Sequence, residues 1–464
     1  MYAPFVGREA ELSHMEALYA APGAKALAIC GRRRVGMTRL LREFCRGKRA
    51  LLFAFKDLSL KENLWHAEVV VAEFTGAEAS FGTAAAFLES LVGICAEGKT
   101  VVVMEGFPHL VGGDAGVMQA VCGFIDDISE TESMLVICGS PVPMMRELLE
   151  SPGNPLAGRF PDRMVLEPLS LRQCALLHPG MSDADVLRTY LTVGGMPLYH
   201  LIMSGPAYED SVKAAFLAEQ APLRDEFMTA VGRELSPKRV YSLMLWSMSR
   251  GARTQSEVAA ASDISPSLCK RYMDNLVSHG FVAKDPPAPG RKAGRFYRIS
   301  DPLTLFGYEV VRRIDVCGGE DPDGLYVRCA PKIGTCMGKA FGDAVAEYIG
   351  ITYRPGRMGR WTGRADGTVE DFGVVAEIDI GGGRDLTLLC GCVFRRTGAD
   401  MEDMVLLEQR AEAAGFRMNR RFAMASAGGF TRELEEYAED NGVMLIGLDE
   451  IMGRTGPEPL VRTL

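Results

Sequence analysis

The run Ala26-Leu27-Ala28-Ile29-Cys30-Gly31-Arg32-Arg33-Arg34-Val35-Gly36-Met37-Thr38-Arg39-Leu40-Leu41 constrains this chain most. It reads as a buried strand, a glycine-bounded loop and the start of a helix. The spacing G-x-x-x-x-G-x-T is that of a phosphate-cradling P-loop. Gly31 and Gly36 let the backbone curl so that successive N–H groups point at an anion. The following helix adds the positive end of its dipole. Thr38 supplies a hydroxyl of the kind that holds Mg²⁺. The position that normally carries Lys is Met37. Its side chain fills a similar length without charge, so it cannot neutralise phosphate. Arg32, Arg33, Arg34 and Arg39 stand close by, but a guanidinium is a planar fork and not a compact ammonium.

A chain of 464 residues is too long for one ordinary domain, and three are expected. Hydrophobic content of 47% with 24% charged residues is that of a soluble globular protein. No apolar run approaches bilayer length. Arg8, Glu9 and Glu11 stand where a signal peptide would be apolar, so a cytoplasmic location is expected. None of the twelve cysteines form Cys-x-x-Cys pairs, which argues against zinc and thioredoxin-type sites. Cys30, Cys138, Cys390 and Cys392 lie in apolar runs and read as small buried hydrophobes. The net charge of −9 is uneven: residues 1–60 balance at +6 and residues 233–300 at +7. Two basic islands in an acidic chain suggest two anion-facing surfaces.

Residues 1–230 alternate strand and helix. Ala50–Phe55, Thr100–Met104 and Met134–Cys138 read as strands; Ala84–Cys95 and Val117–Ile128 read as helices between them. The expected fold class is α/β, with a parallel sheet covered on both faces. Val101–Met104 leads into Glu105-Gly106-Phe107-Pro108, the position of a Walker B strand. Glu105 can hold the Mg²⁺ shell. The next position, where a second acid polarises the attacking water, is Gly106. Ser140 follows the Met134–Cys138 strand, where a polar sensor of the γ-phosphate would sit.

An ordered set of boxes resembles the archaeal ATPase family, within the STAND branch of AAA+-like P-loop NTPases. The boxes are Phe5-Val6-Gly7-Arg8-Glu9-Ala10-Glu11-Leu12, Gly31–Gly36, Phe107-Pro108, Cys138-Gly139-Ser140 and Gly194-Gly195-Met196-Pro197-Leu198-Tyr199. The resemblance implies an ATP- and Mg²⁺-binding P-loop domain with a helical lid. The family carries Lys at Met37 and an Asp-Glu pair at Glu105-Gly106, so this chain departs from the pattern nearest the chemistry. Arg159 matches a family arginine that faces phosphates; its alternative is a surface ion pair.

Residues 231–305 read as a winged helix-turn-helix. Ser236-Pro237 opens one helix, Gln255–Ala261 forms a second, and Ser265-Pro266 opens a third. A ribbon of Phe281–Asp285 and Arg295–Ile299 follows. Lys270 and Arg271 on the third helix, with Arg291, Lys292 and Arg295 on the wing, are candidate DNA contacts. A clamp on the nucleotide domain or a protein contact is the alternative.

Residues 330–464 resemble the PD-(D/E)xK nuclease-like domain, an α/β restriction-endonuclease-type fold that follows the ATPase in this family. The matching residues are Gly338-Lys339-Ala340-Phe341, Gly359-Arg360-Trp361, Glu377-Ile378-Asp379-Ile380 and Gly429-Phe430-Thr431. Asp379 is the expected remnant of a metal site. Gly342 stands where the family has Glu, and Cys392-Val393-Phe394 stands where Glu-x-Lys belongs. Apolar side chains cannot hold such a metal or steady a water, so nuclease activity is not expected. Three readings stay open: a hydrolysis-impaired, nucleotide-responsive adaptor that contacts DNA or a protein partner; a slow genuine ATPase; and a scaffold that binds no nucleotide.

Overall fold

The computed structural model describes residues 4–285, 296–314, 321–365, 368–381, 385–416, 419–457 and 460, without the side chains of 361–372. The described chain forms two compact units. The first comprises residues up to Pro168 together with Met196–Leu198; the second comprises Leu169–Gly195 and everything from Tyr199 onward.

The first unit is built on five strands: β1 (Lys25–Gly31), β2 (Ala50–Ala54), β3 (Val101–Glu105), β4 (Met134–Gly139) and β5 (Asp162–Leu166). Their spatial order is β2-β3-β4-β1-β5, and every neighbouring pair is parallel. All six residues of β4 are buried, as are Val101–Met104 of β3, which is what continuous β-branched and apolar runs require of central strands. Helices Leu60–Thr75, Ala84–Glu97 and Ala115–Asp127 cover the sheet through Leu64, Phe87, Leu91, Val121 and Phe124. Ser59, Thr83 and Asp114 cap their first turns by accepting backbone N–H bonds. β5 was not anticipated. It is an edge strand with alternating burial, so it lacks the apolar run that marks the others.

The second unit begins with Leu169–Gly195, which the sequence alone groups with residues 1–230. Its helix Asp183–Val193 and the turns around it are tied to the long helix Pro322–Tyr353. Glu347 accepts from the Leu171 N–H at 2.9 Å and from the Tyr190 hydroxyl. Lys213 binds Asp323 at 2.5 Å, and Arg454 grips Asp183 at 2.8 Å. Residues 236–285 and 296–299 form helices Lys238–Ser249, Gln255–Ala261 and Pro266–Ser278, then an antiparallel ribbon of β6 (Val282–Asp285) and β7 (Phe296–Ile299).

A second sheet closes the chain: β8 (Arg357–Ala365), β9 (Thr368–Asp379), β10 (Asp385–Val393), β11 (Arg420–Ser426) and β12 (Met444–Ile446). Its order is β12-β11-β10-β9-β8. β8, β9 and β10 are antiparallel neighbours, whereas β10, β11 and β12 are parallel and linked by helices Met401–Ala413 and Arg432–Asn441. The long helix Pro322–Tyr353 runs unbroken through Pro331.

Candidate nucleotide site

The P-loop lies at the C-terminal end of β1, between β4 and β5 in the sheet. Arg34 (φ 72°) and Gly36 (φ 99°) both take left-handed backbone, which turns the loop into the helix Met37–Phe44. Gly31 has no room for a side chain: a Cβ there would lie 2.9 Å from the Leu166 carbonyl oxygen of β5. Val35 is fully buried and anchors the loop, while Arg33 and Arg34 are exposed. Met37 is half-buried in the first helical turn.

Arg8, only 5% exposed, braces the loop from beneath. One guanidinium nitrogen donates to the Val35 carbonyl at 3.1 Å and to the Glu167 carbonyl at 2.8 Å, and the other binds Glu11 at 2.9 Å. Sequence reasoning placed Arg8 in a motif without seeing this role. Pro197 is a second such contact, since a Cβ on Gly36 would sit 3.7 Å from its ring.

The Thr38 hydroxyl donates to the Glu105 carboxylate, so the two groups expected at Mg²⁺ converge. A hydroxyl and a carboxylate are hard oxygen donors, which fits the chemistry of that ion. Ser140 follows β4, the strand between β1 and β3, and so lies between the P-loop and Glu105. Burial drives the Cys138 thiol far upward, with Glu105 adding to the shift, so Cys138 stays protonated and is no nucleophile.

Gly106 takes a left-handed φ of 71°, and a Cβ there would fall 2.1 Å from the Phe55 carbonyl oxygen. The second acid is therefore absent from the sequence and also barred by the backbone. Arg159 is not brought to the P-loop. It precedes β5, at the N-terminal edge of the sheet, and binds Asp126 at 2.6 Å while 39% exposed. Asp126 raises the guanidinium pKa through a hydrogen bond and its charge. Of its two expected roles, Arg159 takes the surface ion pair and does not face its own P-loop.

Asp379 does not stand with the other residues expected of a metal site. It pairs with Asp385 at one end of the β9–β10 hairpin, and its carboxylate accepts from the Gly381 N–H at 2.7 Å. Cys392 lies seven residues along β10, about 23 Å away at 3.3 Å per residue. Asp379 and the Cys392-Val393-Phe394 stretch cannot belong to one metal site. The space beside Gly342 is filled by Arg360, 8% exposed, whose Nε would lie 2.7 Å from a Cβ on that glycine. Lys270 and Arg271 are exposed on the helix Pro266–Ser278; Arg291, Lys292 and Arg295 lie outside the described residues.

No protein-family model matches the chain. It is 23% identical over 312 residues to an uncharacterised protein of Methanocaldococcus jannaschii, spanning 66% of this chain and 69% of that one. Among solved structures it resembles a Walker-type ATPase of Pyrococcus abyssi, with a TM-score of 0.52, 16% identity, and coverage of 66% of this chain and 96% of that one. The ORC2 protein of Aeropyrum pernix superposes with a TM-score of 0.44 at 14% identity, over 68% of this chain and 97% of that one. The likeness to the Walker-type ATPase shows a P-loop ATPase-type fold. No described helix is long and apolar enough to cross a membrane.

Proposed function

We propose that this chain binds ATP·Mg²⁺ at the P-loop and hydrolyses it poorly, acting as a nucleotide-responsive adaptor. The observation that carries the reading is the split between two neighbours on one strand end. Glu105 still meets Thr38. Gly106 is turned so that no acid side chain could occupy that position. Binding needs the loop, the hydroxyl and the first carboxylate; turnover also needs a group that polarises water. Met37 removes one cation and lowers the expected affinity without removing the cradle of N–H groups.

The basic helix Pro266–Ser278 presents Lys270 and Arg271 to solvent, which supports contact with duplex DNA. Asp274 on the same exposed surface disfavours base readout, so the contact is made with phosphate and is weakly sequence-specific. Isothermal titration with ATP·Mg²⁺ and a phosphate-release assay test the nucleotide reading. Binding is expected in the wild type, tighter binding in Met37→Lys and loss in Thr38→Ala, with negligible release in all three. Rapid release from the wild type overturns the reading in favour of an ATPase. Absence of binding in both the wild type and Met37→Lys leaves a scaffold.

A further inference from the structure

We infer that a cavity in the second unit, beyond the C-terminal ends of β10 and β11, binds a planar organic anion of mononucleotide size. Its volume is about 700 Å³, within the range of small-molecule sites. Its floor is Phe394 and Arg396 after β10, Ala427 and Gly428 after β11, and Leu448 after β12. These three strands are parallel, and the crevice outside their carboxyl ends is where open α/β sheets receive ligands. The roof comes from Leu187 and Arg188 of the helix Asp183–Val193 and from Tyr326, Ile333 and Met337 of the helix Pro322–Tyr353.

The floor is built for close approach. A Cβ on Gly428 would lie 2.1 Å from the Arg395 carbonyl oxygen, and one on Gly398 2.5 Å from that of Gly429. The loops after β10 and β11 are stitched by Ala399 N–H to Gly429 carbonyl at 2.9 Å and Thr431 N–H to Ala399 carbonyl at 3.0 Å. The rim is therefore preformed, which lowers the ordering cost of binding.

Charge selects the ligand's sign. The one acid in the lining, Glu209, is held by Lys213 at 2.6 Å. Arg395 is committed to Asp400 and Asp403, each at 2.6 Å, and Arg188 to Asp185 at 3.3 Å. Arg396 is exposed, and among the described residues no carboxylate pairs with it. It is the cation left over for a ligand. The Tyr326 and Phe394 rings, with Leu187, Ile333 and Met337, suit a flat apolar body. A single anionic group on an aromatic ring system meets both demands. This site is independent of the P-loop.

Saturation-transfer NMR on the full chain, with AMP, GMP, CMP and UMP as probes, tests the inference. Transfer to the base protons of at least one probe is expected. Binding should weaken at least about tenfold in Arg396→Glu and in Gly334→Phe and stay unchanged in Thr38→Ala. Gly334 is helical, and nothing lies within 4 Å of where its Cβ would stand, so a phenylalanine there enters the cavity freely. Arg396 is on the surface, so its variant decides the matter even should Gly334→Phe fold poorly. Absence of transfer from all four probes, transfer that survives Arg396→Glu in a Thr38→Ala background, or transfer abolished by Thr38→Ala alone overturns the inference.

Discussion

A glutamate introduced at position 106 would have to displace the Phe55 carbonyl before it could reach any water. The backbone there is left-handed and the Cβ position is already taken. Gly106→Glu should therefore restore no ATP hydrolysis and should cost about 2–4 kcal/mol of stability. Denaturant titration beside a phosphate-release assay checks both halves; recovered turnover with unchanged stability would contradict them. Met37 differs in kind, because a half-buried, unbranched side chain in the first helical turn tolerates Lys. The two departures were equally visible as letters in the sequence. Only the backbone at Gly106 separates a reversible loss from one built into the strand end. Asp379 gives the converse lesson. Its identity fitted a metal-site pattern, but hairpin register decides which residues meet, and register cannot be read from one strand alone.

At the scale of elements, β3 and β4 were legible because central parallel strands must be apolar on both faces. β5 alternates and carries Asp162 and Arg163, so it resembled a loop. The start of the Pro322–Tyr353 helix is hard to see in sequence because Pro322 and Gly324 stand in its first turn, yet Asp321 caps that turn and Pro322 suits the first helical position. The histidine pair between the Leu171–Ala175 and Pro197–Ile202 helices was not anticipated at all. His200 Nε2 lies 2.7 Å from the Gly194 carbonyl and must donate to it, so His200 Nδ1 accepts from His178 Nε2 at 2.8 Å. His200 cannot gain a proton at Nδ1 without losing that bond. Tyr190, which binds Glu347, lies beside the pair, its ring centroid 6.3 Å from that of His200. Burial and His178 hold His200 down to about 3, and burial lowers His178 as well. A depressed folded-state value contributes stability that is full above the ordinary value of 6.5 and lost as pH falls toward 3. His200 alone should cost about 2 kcal/mol by pH 5. Melting midpoints of the wild type and His200→Gln at pH 7 and pH 5 check this. The wild type should lose more, and equal losses would refute it.

For the whole molecule, two basic islands in a chain of net charge −9 suggested two anion-facing surfaces. One contains the P-loop and the other surrounds the helix Pro266–Ser278. Binding of a random-sequence duplex should weaken as salt rises, and Lys270→Ala/Arg271→Ala should reduce the log–log salt slope by about 2. Fluorescence anisotropy between 50 and 200 mM salt, on the order of the range where such contacts are lost, measures it; an unchanged slope would remove DNA from the reading. The grouping of Leu169–Gly195 with the second unit depends on long-range bonds such as Leu171 to Glu347, which leave no local pattern.

Met196–Leu198 belongs to the first unit although the residues on either side belong to the second. A truncation after Pro168 would yield a fragment missing a tripeptide of its own fold, including the proline beside Gly36. The units are thus unsuited to expression as separate halves. Partial proteolysis between them should release an N-terminal piece poorer in solubility than the parent chain.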